Sequence, residues 1–478
     1  MSQPLGYDIV LRSATWGGDR IGAARILART PAIGNSDLYA AAATGNLAEV
    51  ERRLAADPHA AGRKGGPLDR EPLLYLAYAR LPGGELHALE VARLLLDHGA
   101  DPNARFLDAW GNPFTVLTGA IGQGEGDQPP HPKAEALVRL LFERGAAPFD
   151  TQALYNTSIT RDETAWLEAL WNESERRGLL ERWRASGESA GIGGALELNA
   201  LDYLLGNAVA YNHLVRAEWL LRHGADPNGP HAYSTRPLRG EALVYGHAAM
   251  ADLLERFGAV ATPLEGHAAF QAACLGLDRE AARALVDGDP SCLNQAETMR
   301  LAARNGRADV VALLLDLGMD VDVTDASGIR GLHAAVAGGS IEVVRLLLAR
   351  GADIDRVTRD YGGGLGFAAH FERREIAELL APRSRDVHNL TSLGMTQRLR
   401  ELFSTEPVLV NERHARTGST PLFMLPDDEH DALEMTAFLL EYGANPTIAN
   451  AAGITASEAA RARGLLHAAE LMGTRSIP

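Results

Sequence analysis

Along most of this chain, leucines and valines recur at helical spacing in short segments, and small residues fill the segments between them. Ala308–Leu317 reads Ala-Asp-Val-Val-Ala-Leu-Leu-Leu-Asp-Leu, and Ile341–Arg350 reads Ile-Glu-Val-Val-Arg-Leu-Leu-Leu-Ala-Arg. Their starts, 308 and 341, lie 33 residues apart, a spacing typical of helical repeat units. A small-residue segment ending at glycine precedes each, Leu301–Gly306 and His333–Gly338. A glycine and a polar turn follow, Gly318-Met319-Asp320 and Gly351-Ala352-Asp353. The pattern predicts two helices per unit. The first is alanine-rich, where helices approach closely, and the second turns one apolar stripe to the stack.

The same plan starts near Leu11. A first helix reading into Asp19 and a second over Ala23–Ala28 end at Thr30-Pro31. It recurs over Leu38–Asn46 and Ala48–Ala56, ended by Asp57-Pro58, since proline cannot continue a helix. Leu89–His98 is closed by Gly99-Ala100-Asp101-Pro102-Asn103, with related endings at Gly145, Gly224, Gly258 and Gly443 and weaker ones at Asp289-Pro290, Pro382 and Glu406-Pro407. Glycine suits the last position of a helix, and Asp or Asn suits the turn after it. Thr455–Met472 predicts a C-terminal cap.

This grammar resembles that of the ankyrin repeat family. Thr420-Pro421-Leu422 is similar to the family's Thr-Pro-Leu-His turn, with Phe423 in the place of histidine, and Leu332-His333 keeps the last two positions. The resemblance is strongest over 297–358 and 419–450 and weakest over 150–198. It implies an all-α ankyrin-repeat solenoid of about thirteen helix-turn-helix units. It also implies a structural role for His333, a concave surface that binds other proteins, and no intrinsic catalysis.

The pattern degrades between about Phe114 and Leu198, so the chain divides into regular repeats over 1–112, degenerate repeats with a long insertion over 113–198, and regular repeats with a cap over 199–478. The insertion, Gly122–Pro132, is rich in glycine and proline and reads as a loop that splits one repeat. Trp166, Trp171 and Trp183 follow in a helix-rich stretch and read as its own core; Gly187–Gly194 reads as a second flexible stretch. Repeat insertions map to loops on one face, often the binding face. Trp110, Gln123, Asp127, His131, Tyr155 and Asn156 are therefore the candidate binding residues, being types that supply anchoring area and hydrogen bonds. Tyr211-Asn212 repeats the pair Tyr155-Asn156 and joins the set.

Composition narrows the partner. Its 46 Lys and Arg against 62 Asp and Glu give a formal charge of −16, which disfavours nucleic acid or an anionic membrane and favours a partner with a basic patch. Lys64 and Lys133 are the only lysines, and the arginine, alanine and glycine bias reads as bacterial. No basic leader or long apolar run is seen, which sets the expectation of a cytoplasmic protein, with a monomer favoured. Two cysteines, Cys274 and Cys292, lack CxxC spacing, and His430 among Asp427, Asp428, Glu429 and Asp431 reads as a solvated run; no metal or cofactor is expected.

Catalytic signals are thin. Gly187-Glu188-Ser189-Ala190-Gly191 spells a nucleophile elbow, but the preceding segment reads as helix where a strand is required. Gly122, Gly124 and Gly126 lack the Lys-Ser/Thr of a phosphate loop. His131 beside Asp127 is the one acid–base pairing to consider.

The leading expectation is a non-enzymatic interaction scaffold that binds a protein or peptide along its groove and finger loops. The alternative is a small-molecule or peptide pocket, with catalysis open, where the 113–160 insertion covers the groove. A toxin-like effector would want a secretion signal or a separate catalytic domain, and neither is seen.

Overall fold

A computed structural model describes residues 4, 6–14, 18–81, 83–186, 198–358 and 362–474. Over these residues the chain is mostly helical, and successive helices form antiparallel pairs such as Leu38–Ala43 with Leu47–Ala56 and Gly331–Gly338 with Ile341–Ala349. The Gly187–Gly191 elbow and the rest of the Gly187–Gly194 stretch lie outside the described residues.

Local chemistry explains the pairs. Second helices start at side chains that cap free backbone amides: the Glu49 amide donates to Asn46 Oδ1 (3.3 Å), and the Ala281 amide to Asp278 (3.0 Å). Some run into a proline turn, as at Asp57 and Asp289, and others end at glycine with a back-bond from the next amide, Met319 to the Leu314 carbonyl (3.0 Å) and Ala352 to Leu347 (3.0 Å). Between the two ends Val343, Val344 and Leu347 are fully buried.

Asparagine in the turn has a second role. Asn103 donates to the Gly145 carbonyl and accepts from the Ala147 amide (3.3 and 2.7 Å). Asn228 does the same to Gly258 and Val260 (3.1 and 2.8 Å), and Asn411 to Gly443 and Asn445 (3.0 and 2.7 Å). In these three turns one side chain ties the turn to the end of the second helix of the following unit.

The described residues also depart from an all-helical plan. Arg105–Leu107 pairs antiparallel with Pro113–Thr115 in a short finger hairpin. The turn at Thr420 leads into a single 3-10 turn, Pro421–Phe423, in place of a full first helix.

The chain forms two compact units, Met1–Leu243 with His247–Thr262, and Val244–Gly246 with Pro263–Pro478. This differs from boundaries at 113 and 199. In the first unit the apolar core runs from Leu38 to Leu254 across both of those positions, because the degenerate stretch packs into it. Trp183 is fully buried, and its ring lies 5.1 Å from that of Trp171 and 5.7 Å from that of Phe149. Trp166 packs on the same core half-buried. The core of the second unit runs from Phe270 to Met472. It includes His333 packed 4.7 Å from the Phe367 ring, with Nδ1 accepting from the Arg330 amide (3.3 Å).

Candidate binding cavity

One short helix of the first unit, Val116–Ile121, carries an elaboration at each end. The finger hairpin enters its N-terminus and the insertion leaves its C-terminus. The finger tip is fixed by Asp108, whose carboxylate accepts from the amides of Trp110 (2.9 Å) and Asn112 (2.8 Å) and from the Asn112 side chain (2.9 Å). That turn holds Trp110 outward, 87% exposed. At the finger base, Asp150 accepts from the Thr115 hydroxyl, from the Thr118 hydroxyl (3.3 Å) and from the Ala153 amide (2.9 Å). The same carboxylate therefore caps helix Thr151–Ile159 and anchors the finger to it. Burial raises its pKa, and the hydrogen bond from Thr115 opposes the rise.

The insertion is a folded-back turn. Gln123 and Gln128 form an antiparallel bridge with amide bonds of 2.7 and 3.3 Å. The turn docks on helix Thr151–Ile159: the Gly124 amide donates to the Asn156 carbonyl (3.1 Å), the Asn156 side chain donates to the Gly122 carbonyl (3.4 Å), and the Tyr155 hydroxyl donates to Glu125 (3.0 Å). Arg80 pins its far end, donating to the carbonyls of Pro129 (2.9 Å) and Gly119 (2.7 Å) as well as Ala77 and Ala79.

Finger tip, insertion and helix face enclose an open cavity of about 690 Å³. Trp110, Phe114, Tyr155, Tyr203 and Tyr233 supply aromatic surface, and Asn112, Gln123, Gln128, Gln152 and Asn156 supply amides. The charged members of the lining are Asp108 and Glu125, both acidic; no Lys, Arg or His contributes. Burial, then the bond to Glu125, raises the Tyr155 phenol; burial, then Tyr233 (hydroxyls 3.1 Å apart), raises Tyr203. Both phenols stay protonated at neutral pH and act as neutral hydrogen-bonding groups.

Of the residues singled out from sequence, Trp110, Gln123, Tyr155 and Asn156 come together here. Asp127 and His131 do not, and their acid–base pairing is absent. Asp127 pairs with Arg161 on the surface (3.1 Å). His131 is buried in an apolar crevice with Leu76, Ala79 and Leu81, its Nδ1 accepting from the Lys133 amide (3.0 Å). Burial, then Arg80 and Lys133, lower its pKa to about 4, so it is neutral and structural at physiological pH. Tyr211 and Asn212 also lie outside the cavity lining. They occupy the exposed turn after helix Ala200–Ala210, with Tyr211 stacked on His213 (5.8 Å). Tyr203, Tyr233 and Arg80 were not foreseen. A further group outside the cavity, His267, Asp289 and Cys292, sets nitrogen, oxygen and sulfur atoms within 4.8 Å of one another.

Among the described residues no helix is long and apolar enough to cross a membrane. Comparison with known proteins adds the family. A model described as ankyrin repeats (3 copies) matches residues 267–358 and 299–391. No curated protein matches the chain. One chain in the solved structure of a predatory endopeptidase from Bdellovibrio bacteriovorus in complex with an immunity protein is 20% identical, with a TM-score of 0.30. That match covers 38% of this chain and 98% of the other, and so slight a likeness says nothing about function. With paired helices, glycine-ended turns and the family match in agreement, the chain carries ankyrin repeats over 267–391.

Proposed function

We propose that the chain is a non-enzymatic interaction module whose cavity, between the finger and the insertion, takes a partner segment presenting an arginine or lysine side chain. Ankyrin repeats in general mediate protein–protein interaction, and the finer reading rests on one observation. The lining joins an outward tryptophan and further aromatic faces to two carboxylates with no basic residue. Aromatic faces attract a guanidinium or ammonium by about 0.5–2 kcal/mol each, and Glu125 offers an ion pair beside them. The amides around them suit the backbone of a peptide. The volume also fits a small cationic molecule, which makes that the second reading. A monomeric, cytoplasmic protein is part of the proposal, and the two free buried thiols support the reducing compartment.

The test is selection of random displayed peptides on the full chain, followed by affinity measurement of the winners. Enriched peptides should carry Arg or Lys, and their binding should weaken as salt rises. Trp110→Ala should weaken binding roughly 30-fold, the effect of about 2 kcal/mol for a central aromatic anchor, with melting temperature unchanged. Peptides that bind Trp110→Ala and Glu125→Gln as well as wild type, or with no salt dependence, would overturn the assignment.

A further inference from the structure

In the second unit, helix Arg279–Gly288 runs into a 3-10 turn, Pro290–Asn294, capped by Asp289. The Asp289 Oδ1 accepts from the Ser291 amide (3.0 Å), which fixes the carboxylate and leaves Oδ2 facing His267 Nε2 at 4.0 Å. His267 is the second residue of helix Gly266–Leu275, and Ser291 Oγ lies 3.1 Å from its Nε2. The Gln295 side-chain nitrogen lies 3.3 Å from the same nitrogen. Cys292 completes the group from below, 1% exposed.

Turns of the same build elsewhere show what is unusual. Pro31–Asn35, Pro58–Gly62 and Pro407–Asn411 bury the aliphatic side chains Ile33, Ala61 and Val410, which simply pack. Here the buried side chain is a thiol, and the two half-exposed side chains above it are an imidazole and a carboxylate. Packing explains the burial of Cys292 and capping explains Asp289, as Asp57 caps the turn Pro58–Gly62; what sets this turn apart is that a thiol and an imidazole stand beside the capping carboxylate.

We propose that His267 Nε2, Asp289 Oδ2 and Cys292 Sγ form a binding site for a divalent ion of the zinc class, with a fourth position left to Ser291 or solvent. Nitrogen, oxygen and thiolate sulfur together select zinc, cobalt or nickel over magnesium or calcium, which take all-oxygen shells. Tetrahedral bonds of about 2.1 Å set ligand atoms about 3.4 Å apart. The observed separations, 4.0 Å between His267 and Asp289 and up to 4.8 Å within the group, close by rotation of the 48%-exposed His267 side chain and a swing of Asp289 Oδ2 about the carboxylate held by Ser291. The turn supplies a fixed sulfur. Binding displaces the thiol proton, so affinity rises with pH.

Cobalt(II) is the probe, titrated into the reduced full-length chain. One equivalent should give thiolate-to-cobalt charge-transfer absorption with the visible bands of a tetrahedral ion, and zinc(II) should abolish both. Cys292→Ser should lose the charge-transfer band. His267→Ala, a surface change that leaves the fold intact, should weaken binding at least 10-fold. Cys274→Ser should keep the spectrum, which separates the two buried thiols. Absence of the band in wild type, its survival in Cys292→Ser, or its loss in Cys274→Ser alone overturns the site.

Discussion

The insertion is held by backbone geometry, and Gly122→Ala tests that directly. Gly122 ends helix Val116–Ile121 at φ +79°, ψ −139°, a region that side-chain-bearing residues rarely enter. Occupying such a region costs about 1–3 kcal/mol. A Cβ there would also lie 2.7 Å from the carbonyl oxygens of both Gln128 and Pro129. Those are backbone atoms, and Pro129 is itself held by Arg80, so neither can give way without opening the turn. Gly124→Ala is a milder case. Its φ is +86°, and the added carbon would meet the Asn156 side chain at 3.0–3.2 Å. Asn156 can yield only by giving up its bonds to Gly122 and Gln152.

Strain and overlap together put Gly122→Ala at about 3 kcal/mol or more, confined to the insertion. Hydrogen exchange reads this out by segment. Amides in 122–128 should exchange roughly 100-fold faster in Gly122→Ala, with a smaller effect in Gly124→Ala. Amides of helix Ala296–Arg304 in the second unit are the internal reference and should not change. Unchanged exchange in 122–128 would show that the turn is not held as described. Equal acceleration in both segments would show that the insertion has no stability of its own, and the account of the cavity wall would fall with it.

Two further perturbations follow from buried polar groups. Because His131 titrates near 4 when folded and near 6.5 when unfolded, the unfolded chain binds the extra proton first. The stability that neutral His131 allows is therefore full above about pH 6.5 and is lost as pH falls toward 4, by about 3 kcal/mol in all. Urea midpoints of wild type and His131→Asn should converge as pH drops through that window; parallel profiles would refute it. Arg80 is lowered only to about 10, by burial and then by Arg20, so it stays charged at neutral pH while donating to four carbonyls. Arg80→Met should destabilise the first unit by roughly 3 kcal/mol in urea unfolding; a change under about 0.5 kcal/mol would mean the carbonyls find other donors.

The sequence was most legible where structure is set by short-range chemistry. Glycine endings, Asn turns and leucine stripes are read within a few residues, so the helix pairs at Ala308–Asp316 and Ile341–Ala349 lie where the periodicity predicts. The cavity depends on which face a residue occupies, and letters alone mislead there. Tyr155-Asn156 and Tyr211-Asn212 look alike, yet Tyr155 is the fifth residue of its helix and Tyr211 is the residue after the end of another. The partner that Tyr155 does find is Glu125, thirty residues earlier and inside a loop with no periodicity. Arg80 left no pattern either, being one arginine after an apolar helix, Pro72–Tyr78. His131 and Asp127 are four apart in sequence, but the turn between Gly122 and Pro129 sends one into the core and the other to the surface.

A site at this place follows from asymmetry between the two ends of one helix. In the regular unit at Ala296–Asp316 the two helices are joined by residues 305–307, too short to rise beside the groove. Between Ile121 and Ala134 the connection runs over 122–133, long enough to fold back as a wall. Helix Val116–Ile121 has six residues, about 9 Å of rise, so finger and insertion leave from points about that far apart. On the proposed reading a partner's side chain reaches down between Trp110 and Tyr155, which line the same cavity. Specificity on this reading comes from the walls, which are departures from the repeat, while the repeat itself holds them at a fixed separation.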